Sequence, residues 1–358
     1  MNDLAVQLQE EIKRDGPIFF ARFMELALYA PGLGYYERQR EIGRGGDFYT
    51  SISVGSLFGE LLAFQFAQWL EESGYDRVQI VEAGAHDGAL AADILGWLRR
   101  WQPELFTRLE YFLVEPSPTR RGWQEKKLRE WGGAIEWVSD IADLSSEKSG
   151  RIIFCNELLD AMPVHRFSWN GQKWEECRVG WDGGTFVWEL AAPPSELTAA
   201  LPVIGSELAA VLPRGYIIEH SPAAVTWWKK AAGRLGRGKL LTIDYGLTAP
   251  ELFRPERTGG TLRAFSRHHV GGGLLDHPGE CDITAHVNFS AIESAGHAAG
   301  LSTEGMIGQD KFLTQILAKT EAEPGKFEAW TSARIKQFQT LTHPEHLGHA
   351  FRVLIQSH

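Results

Sequence analysis

The chain has 358 residues, 44% of them hydrophobic, with a formal net charge of −10. That length suits one enlarged α/β domain or one domain with appendages, and the apolar share is enough to fill a core. An acidic chain is repelled by phosphate backbones, which argues against nucleic acid and for a basic protein or peptide partner.

Leu4, Leu8 and Ile12 recur every four residues until Gly16-Pro17, which predicts a first helix. Its Glu10, Glu11 and Asp15 fit neither a signal peptide nor a transit peptide, so a cytoplasmic protein is expected. A second helix is predicted through Phe19, Phe20, Phe23, Met24, Ala27 and Leu28, ahead of Pro31. A glycine-punctuated loop follows, from Gly32 to Ser51, so residues 1–53 read as an appendage. Val54 to Glu72 predicts a helix. Strands then alternate with helices: Val78–Val81, a helix through Leu90 and Leu98, Tyr111–Val114, a helix through Trp123, Ile135–Val138 and Arg151–Cys155. That alternation predicts a parallel sheet with helices on both faces.

Between Val164 and Leu190, Asn170-Gly171 and Asp182-Gly183 separate short strands, which predicts an antiparallel β insertion. The α/β rhythm resumes with Tyr216-Ile217-Ile218, a helix bearing Trp227 and Trp228, and a strand over Lys239–Ile243. Gly246 to Gly279 reads as a long loop, with Gly271-Gly272-Gly273 as part of a lid. Helices are expected near Ala285–Ala299, Gln309–Lys319 and Phe327–Leu341, and a last strand at Phe351–Ile355. The main domain is therefore placed at 54–358, with insertions near 164–213 and 247–285. No stretch approaches the roughly 18 apolar residues of a membrane span. Cys155, Cys177 and Cys281 match neither a disulfide framework nor a zinc site, and Cys155 reads as a buried strand thiol.

The sharpest local signal is Val81-Glu82-Ala83-Gly84-Ala85-His86-Asp87-Gly88, joining the first alternating strand to its helix. Glycine there allows positive φ and close approach of a ligand, and the helix start supplies N–H groups. The dinucleotide fingerprint wants glycine where His86 and Ala89 stand, so NAD is disfavoured. An amino-acid zwitterion fits better, with Glu82 toward its ammonium and backbone N–H groups toward its carboxylate; the alternative is a plain strand–helix turn. Glu115, ahead of Pro116 after the next strand, can accept from ribose hydroxyls. Asp140, after the third strand, can accept from an adenine amino group or cap the following turn. The scattered His220, His268, His269 and His286 form no metal-ligand spacing, and no metal is expected.

Several further motifs run through nearly the whole chain: Gly16-Pro17-Ile18-Phe19-Phe20-Ala21-Arg22-Phe23-Met24, Gly34-Tyr35-Tyr36, Gly46-Asp47-Phe48-Tyr49-Thr50-Ser51 and Phe58-Gly59-Glu60. Asn156-Glu157-Leu158-Leu159-Asp160-Ala161-Met162-Pro163-Val164 is the strongest, and Asp244-Tyr245-Gly246, Gly260-Thr261-Leu262-Arg263 and Asp282-Ile283-Thr284-Ala285-His286-Val287 follow. In these the sequence resembles the MidA family of class I methyltransferases. The resemblance implies a Rossmann-like seven-stranded methyltransferase sheet and S-adenosylmethionine as cofactor. It implies cofactor contacts from Asp47, Thr50, Ala85, His86, Gly88, Pro116 and Asn156, beside Glu82, Gly84, Glu115 and Asp140. It also implies a protein substrate, with arginine as acceptor and a respiratory complex I subunit as its source. Two departures are His86, where the family usually has glycine, and Asn288, where it usually has Asp.

Methyl transfer from a sulfonium needs a positioned nucleophile, and arginine is a poor one because its charge is delocalised. Glu157 and Asp160, after the fourth strand, are expected to clamp the acceptor as the catalytic pair; the alternative is that they serve a helix start. The competing readings are a non-catalytic assembly factor that retains the fold, and a methyltransferase acting on a small molecule.

Overall fold

The structure, a computed structural model, describes residues 2–38, 50–145, 149–202, 205–266, 269–270, 273–323, 325–348 and 350–358. The chain divides into two compact units. One comprises Met1–Arg40, Asp160–Val225 and Leu247–Ala291; the larger comprises Glu41–Leu159, Thr226–Gly246 and Ile292–His358.

In the larger unit seven strands lie in the order Ser302–Gly308, Phe351–Ser357, Arg237–Leu247, Gly150–Asn156, Val78–Ala83, Leu109–Val114 and Ile135–Val138. Phe351–Ser357 runs antiparallel to both neighbours and the other pairs are parallel, so the Rossmann-like sheet is mixed. Every residue of Val78–Ala83 and of Gly150–Asn156 is buried, as strands covered on both faces must be. On one face, Phe58, Leu62 and Phe66 of the helix Leu57–Ser73 join Ile94 and Leu98 of Ala89–Trp101 and Leu313 and Ile316 of Gln309–Ala322. They pack on Ile80, Phe154 and Ile243. Leu240 and its partner Gln356 point the other way by strand alternation. There the buried Trp228 of the helix Pro222–Ala232 donates to Gln356 Oε1 at 2.7 Å, so this tryptophan packs the sheet.

The smaller unit holds an antiparallel sheet in the order Ile18–Phe19, Trp174–Trp181, His165–Trp169 and Tyr216–His220, with Phe186–Ala191 also paired to Trp174–Trp181. Its hairpins form where expected. Asn170 Oδ1 accepts from the Gln172 and Lys173 N–H groups, and Gly171 takes φ +97°. Leu4, Leu8, Phe20, Phe23 and Leu28 of the two N-terminal helices pack with Val179 and Ile283.

Four sequence expectations need correction. Tyr216–His220 belongs to this antiparallel sheet and not to the α/β alternation; an apolar run does not reveal its partner strand. The expected loop from Gly246 to Gly279 carries a short helix, Ala249–Leu252, and a strand, Arg263–Ser266, that pairs with Asp282–Thr284. The helix placed at Ala285 starts at Phe289, because Asn288 Oδ1 accepts from the Ala291 N–H and caps it. Asp would cap equally well, so this departure from the family pattern keeps the cap. The edge strand Ser302–Gly308 was not expected: it is half-exposed, ends in glycine and shifts register between Thr303 and Gly305. All three cysteines are buried. Among the described residues no helix is long and apolar enough to cross a membrane.

Candidate functional site

The site is read from the carboxyl edge of the larger unit's sheet. Ala83 pairs with Val114 on one side and Cys155 on the other. Gly84, Glu115 and Asn156 therefore follow at one level on three adjacent strands. The order in which strands are added reverses at Val78–Ala83: Leu109–Val114 and Ile135–Val138 lie to one side, Gly150–Asn156 and Arg237–Leu247 to the other. Such a switch point opens the crevice in which doubly wound folds bind ligands.

The glycine turn is built for close approach. Gly84 takes φ +78° and is exposed, and a Cβ there would lie 3.0 Å from Leu158 Cδ1. Gly88 takes φ +88°, its N–H donates to Ala85 O at 2.7 Å, and a Cβ would come 2.8 Å from Leu128 Cδ1. Asp87 Oδ1 accepts from the Ala89 N–H at the helix start. His86 stands at φ +47°, in the left-handed region where glycine is favoured but histidine is tolerated. Burial pushes its imidazole pKa down, and its ring centroid lies 6.1 Å from that of Trp123.

Glu82 is buried and accepts from Tyr111 Oη at 2.6 Å. Burial raises its pKa to about 7, the Tyr111 hydrogen bond opposes the rise, and the charges of Asp87 and Asp93 add to it.

Glu115 is buried and already engaged. Its Oε1 accepts from the Ser117 N–H at 2.9 Å and from Arg120 Nε and Nη2 at 3.0 and 2.8 Å. Its Oε2 accepts from Gln124 Nε2 at 3.0 Å. Pro116 beside it is exposed. Arg120 and Gln124 carry no weight in a motif reading; their signal is i, i+4 spacing on a helix that starts three residues after Glu115.

Asp140 caps the turn that follows it: Oδ1 accepts from the Ala142 N–H at 2.8 Å, and Oδ2 meets Lys230 Nζ at 2.9 Å. Thr50, half-buried, sits in a turn in which its carbonyl accepts from Ser53 Oγ at 2.8 Å. Asp47, His268, Gly271 and Gly272 lie outside the described residues.

No helix follows the fourth strand, which removes the alternative of a helix start there. Residues 157–163 form a turn, so neither Glu157 nor Asp160 caps a helix. Glu157 takes φ +53°, and its N–H donates to Ile243 O at 3.0 Å. Asp244 holds this turn: its Oδ2 accepts from the Leu158 and Leu159 N–H groups at 3.2 and 2.8 Å. Asn156 is buried, its Nδ2 donates to Glu157 Oε1 at 3.0 Å, and its Oδ1 meets no hydrogen-bond partner among the described residues. Asp160 belongs to the smaller unit and is buried there.

A family described as "Putative S-adenosyl-L-methionine-dependent methyltransferase" matches residues 61–307, more than half of the chain. The chain belongs to that family. A Burkholderia thailandensis protein crystallised with S-adenosyl-homocysteine is similar over 99% of this chain and 92% of that one, at 33% identity and a TM-score of 0.84. The mitochondrial protein arginine methyltransferase NDUFAF7 of Xenopus tropicalis is 29% identical over 98% of this chain and 85% of that protein. Its Drosophila melanogaster homologue is 27% identical over 98% and 84%. The resemblance to the MidA family holds, and S-adenosylmethionine is the cofactor of this methyltransferase.

The residues present fit that group. Exposed Gly84 leaves room for a backbone approach, the orphaned Asn156 Oδ1 wants a donor, and Glu115 Oε2 retains accepting capacity beyond Gln124.

Proposed function

We propose that this methyltransferase modifies arginine on a protein, with a respiratory complex I subunit as the acceptor that the family resemblance suggests. The observation that carries the reading is chemical. In the smaller unit Asp160 and Asp282 are both buried, and Tyr36 Oη donates to Asp282 Oδ1 and Oδ2 at 2.9 and 3.0 Å. Burial first, then the Asp282 carboxylate, with further contributions from Tyr29 and the charge of Asp160, pushes the Tyr36 phenol pKa well up. Tyr29 stacks on Tyr36 with centroids 5.6 Å apart. Carboxylates that pair with a guanidinium, beside aromatic faces that stack on it, suit arginine better than a compact ammonium. The similarity to proteins named as arginine methyltransferases supports the same reading.

Glu157 and Asp160 are proposed as the carboxylates that localise the acceptor's charge so that one nitrogen regains a lone pair. Glu82, Gly84, Ala85, His86, Gly88, Glu115 and Asn156 are proposed to hold the cofactor, which supplies the methyl group on a sulfonium. The test is to incubate the enzyme and methyl-labelled S-adenosylmethionine with lysate of cells lacking the gene. Label is expected in methylarginine of a protein hydrolysate. Label confined to small molecules or to lysine would overturn the arginine reading.

A further inference from the structure

We propose that Gln124 is the positioning residue that ties the glycine turn to the ribose-side carboxylate and so sets affinity for the cofactor. The proposal rests on the placement of Glu115 at the ribose.

Gln124 is fully buried on the helix Pro118–Lys127. Its Nε2 donates to His86 O and to Glu115 Oε2, both at 3.0 Å. Its Oε1 accepts from Trp137 Nε1, also at 3.0 Å. An indole N–H can only donate, so Trp137 fixes which end of the amide is oxygen. The two remaining amide hydrogens must then face two acceptors. One amide thus spans the turn after Val78–Ala83, the end of Leu109–Val114 and the strand Ile135–Val138.

The division of labour at Glu115 gives this bridge its direction. Oε1 takes three donors, two of them from Arg120, and is saturated. Oε2 takes Gln124 from one side, so Oε2 is the oxygen that turns its remaining lone pair toward ribose hydroxyls. The same amide holds His86 O, which fixes the peptide plane next to the N–H groups that meet the amino-acid end of the ligand. A buried amide adds little net stability, because its bonds replace bonds to water. Its value lies in orienting two ligand-facing groups together.

The test is isothermal titration of S-adenosylhomocysteine into the whole protein and three variants, with circular dichroism and melting recorded on each. Gln124→Met keeps the volume and loses all three bonds; affinity is expected to fall about tenfold. Gln124→Glu sets a carboxylate against a carbonyl and a carboxylate. Its affinity, relative to wild type at the same pH, is expected to be lowest near about pH 8 and to recover partly toward about pH 6 as the new group protonates and donates. The ionisable groups around it are Glu115, Arg120, His86, Asp87 and Lys127, and the wild-type reference removes their own titration. Trp137→Phe touches neither Glu115 nor His86, and is expected to weaken binding about threefold by releasing the amide. Wild-type affinity in Gln124→Met and Gln124→Glu with only a lower melting temperature would make Gln124 a packing residue and overturn the proposal. If Gln124→Met does not fold, unchanged affinity in Trp137→Phe overturns it. A wild-type protein that fails to bind would overturn the ribose placement and this proposal with it.

Discussion

Replacing Glu82 by Gln should make the protein more stable at alkaline pH and worse at holding its cofactor. Glu82 has an ordinary carboxyl pKa near 4.5 when unfolded and about 7 when folded, chiefly because burial penalises its charge. Below the unfolded value both states are protonated and nothing is lost. Between the two values the folded protein holds a proton that the unfolded chain releases, so stability falls as pH rises. Above about 7 the full penalty is present. A rise from 4.5 to about 7 amounts to roughly 3 kcal/mol at about 1.4 kcal/mol per pH unit. Gln keeps the shape and the oxygen that Tyr111 needs, but carries no charge. Urea unfolding should therefore find Glu82→Gln close to wild type near about pH 5 and more stable by up to ~3 kcal/mol near about pH 8. Titration with S-adenosylmethionine near about pH 8 should show the opposite ranking, by about tenfold, because the ammonium loses an ionised acceptor. A stability difference that stays constant across that pH range would refute the assignment of the penalty to Glu82.

Arg120→Leu strands the buried Glu115 carboxylate and should destabilise the fold by about 3–5 kcal/mol in chemical denaturation, whereas an exposed pair would cost under about 1. Gly84→Ala should lose most affinity for S-adenosylhomocysteine by titration. Adding Leu158→Ala removes the 3.0 Å contact but leaves alanine strained at φ +78°, so binding should not return; recovery of binding would mean the contact, not ligand access, was at fault. Glu157→Gln and Asp160→Asn should each slow single-turnover methyl transfer roughly 100-fold, about 2.7 kcal/mol, with cofactor affinity within about twofold. Full rates in both would remove the catalytic assignment.

The sheet was legible because buried parallel strands carry apolar runs at their centres, as Ile80-Val81 and Ile152-Ile153-Phe154-Cys155 do in the segments read as Val78–Val81 and Arg151–Cys155. Glycine turns and hairpin dipeptides were legible for the same local reason: few residues tolerate positive φ. Partnership between distant segments was not. Tyr216–His220 looks the same in a parallel or an antiparallel sheet, and only its register with His165–Trp169 decides. At the site, Glu82, Gly84 and Glu115 stood out as residues at strand ends. Arg120, Gln124, Tyr111 and Asp244 did not, because each acts on a partner far along the chain or across a helix turn. The turn at 157–163 left a helix start open as an alternative because Asn-Glu-x-x-Asp is also what a capped helix would show; Asp244, 86 and 85 residues from the Leu158 and Leu159 N–H groups it accepts from, is what holds it.

The interleaving of the two units bears on how the protein emerges from the ribosome. The N-terminal helices bury Leu4, Phe20 and Phe23 against Val179 and Ile283, residues that are translated much later. The larger unit begins with Leu57–Ser73 but gains its last two sheet strands only from Ser302–Gly308 and Phe351–Ser357. Neither unit owns a contiguous stretch of message. During synthesis two apolar half-cores therefore wait, unclosed, for the same final third of the chain. Long-range closure of this kind is slow and exposes sticky surface. A truncation near the C-terminus should leave the larger unit's sheet without its strand Phe351–Ser357, and the protein is expected to depend on chaperones more than its size alone would suggest.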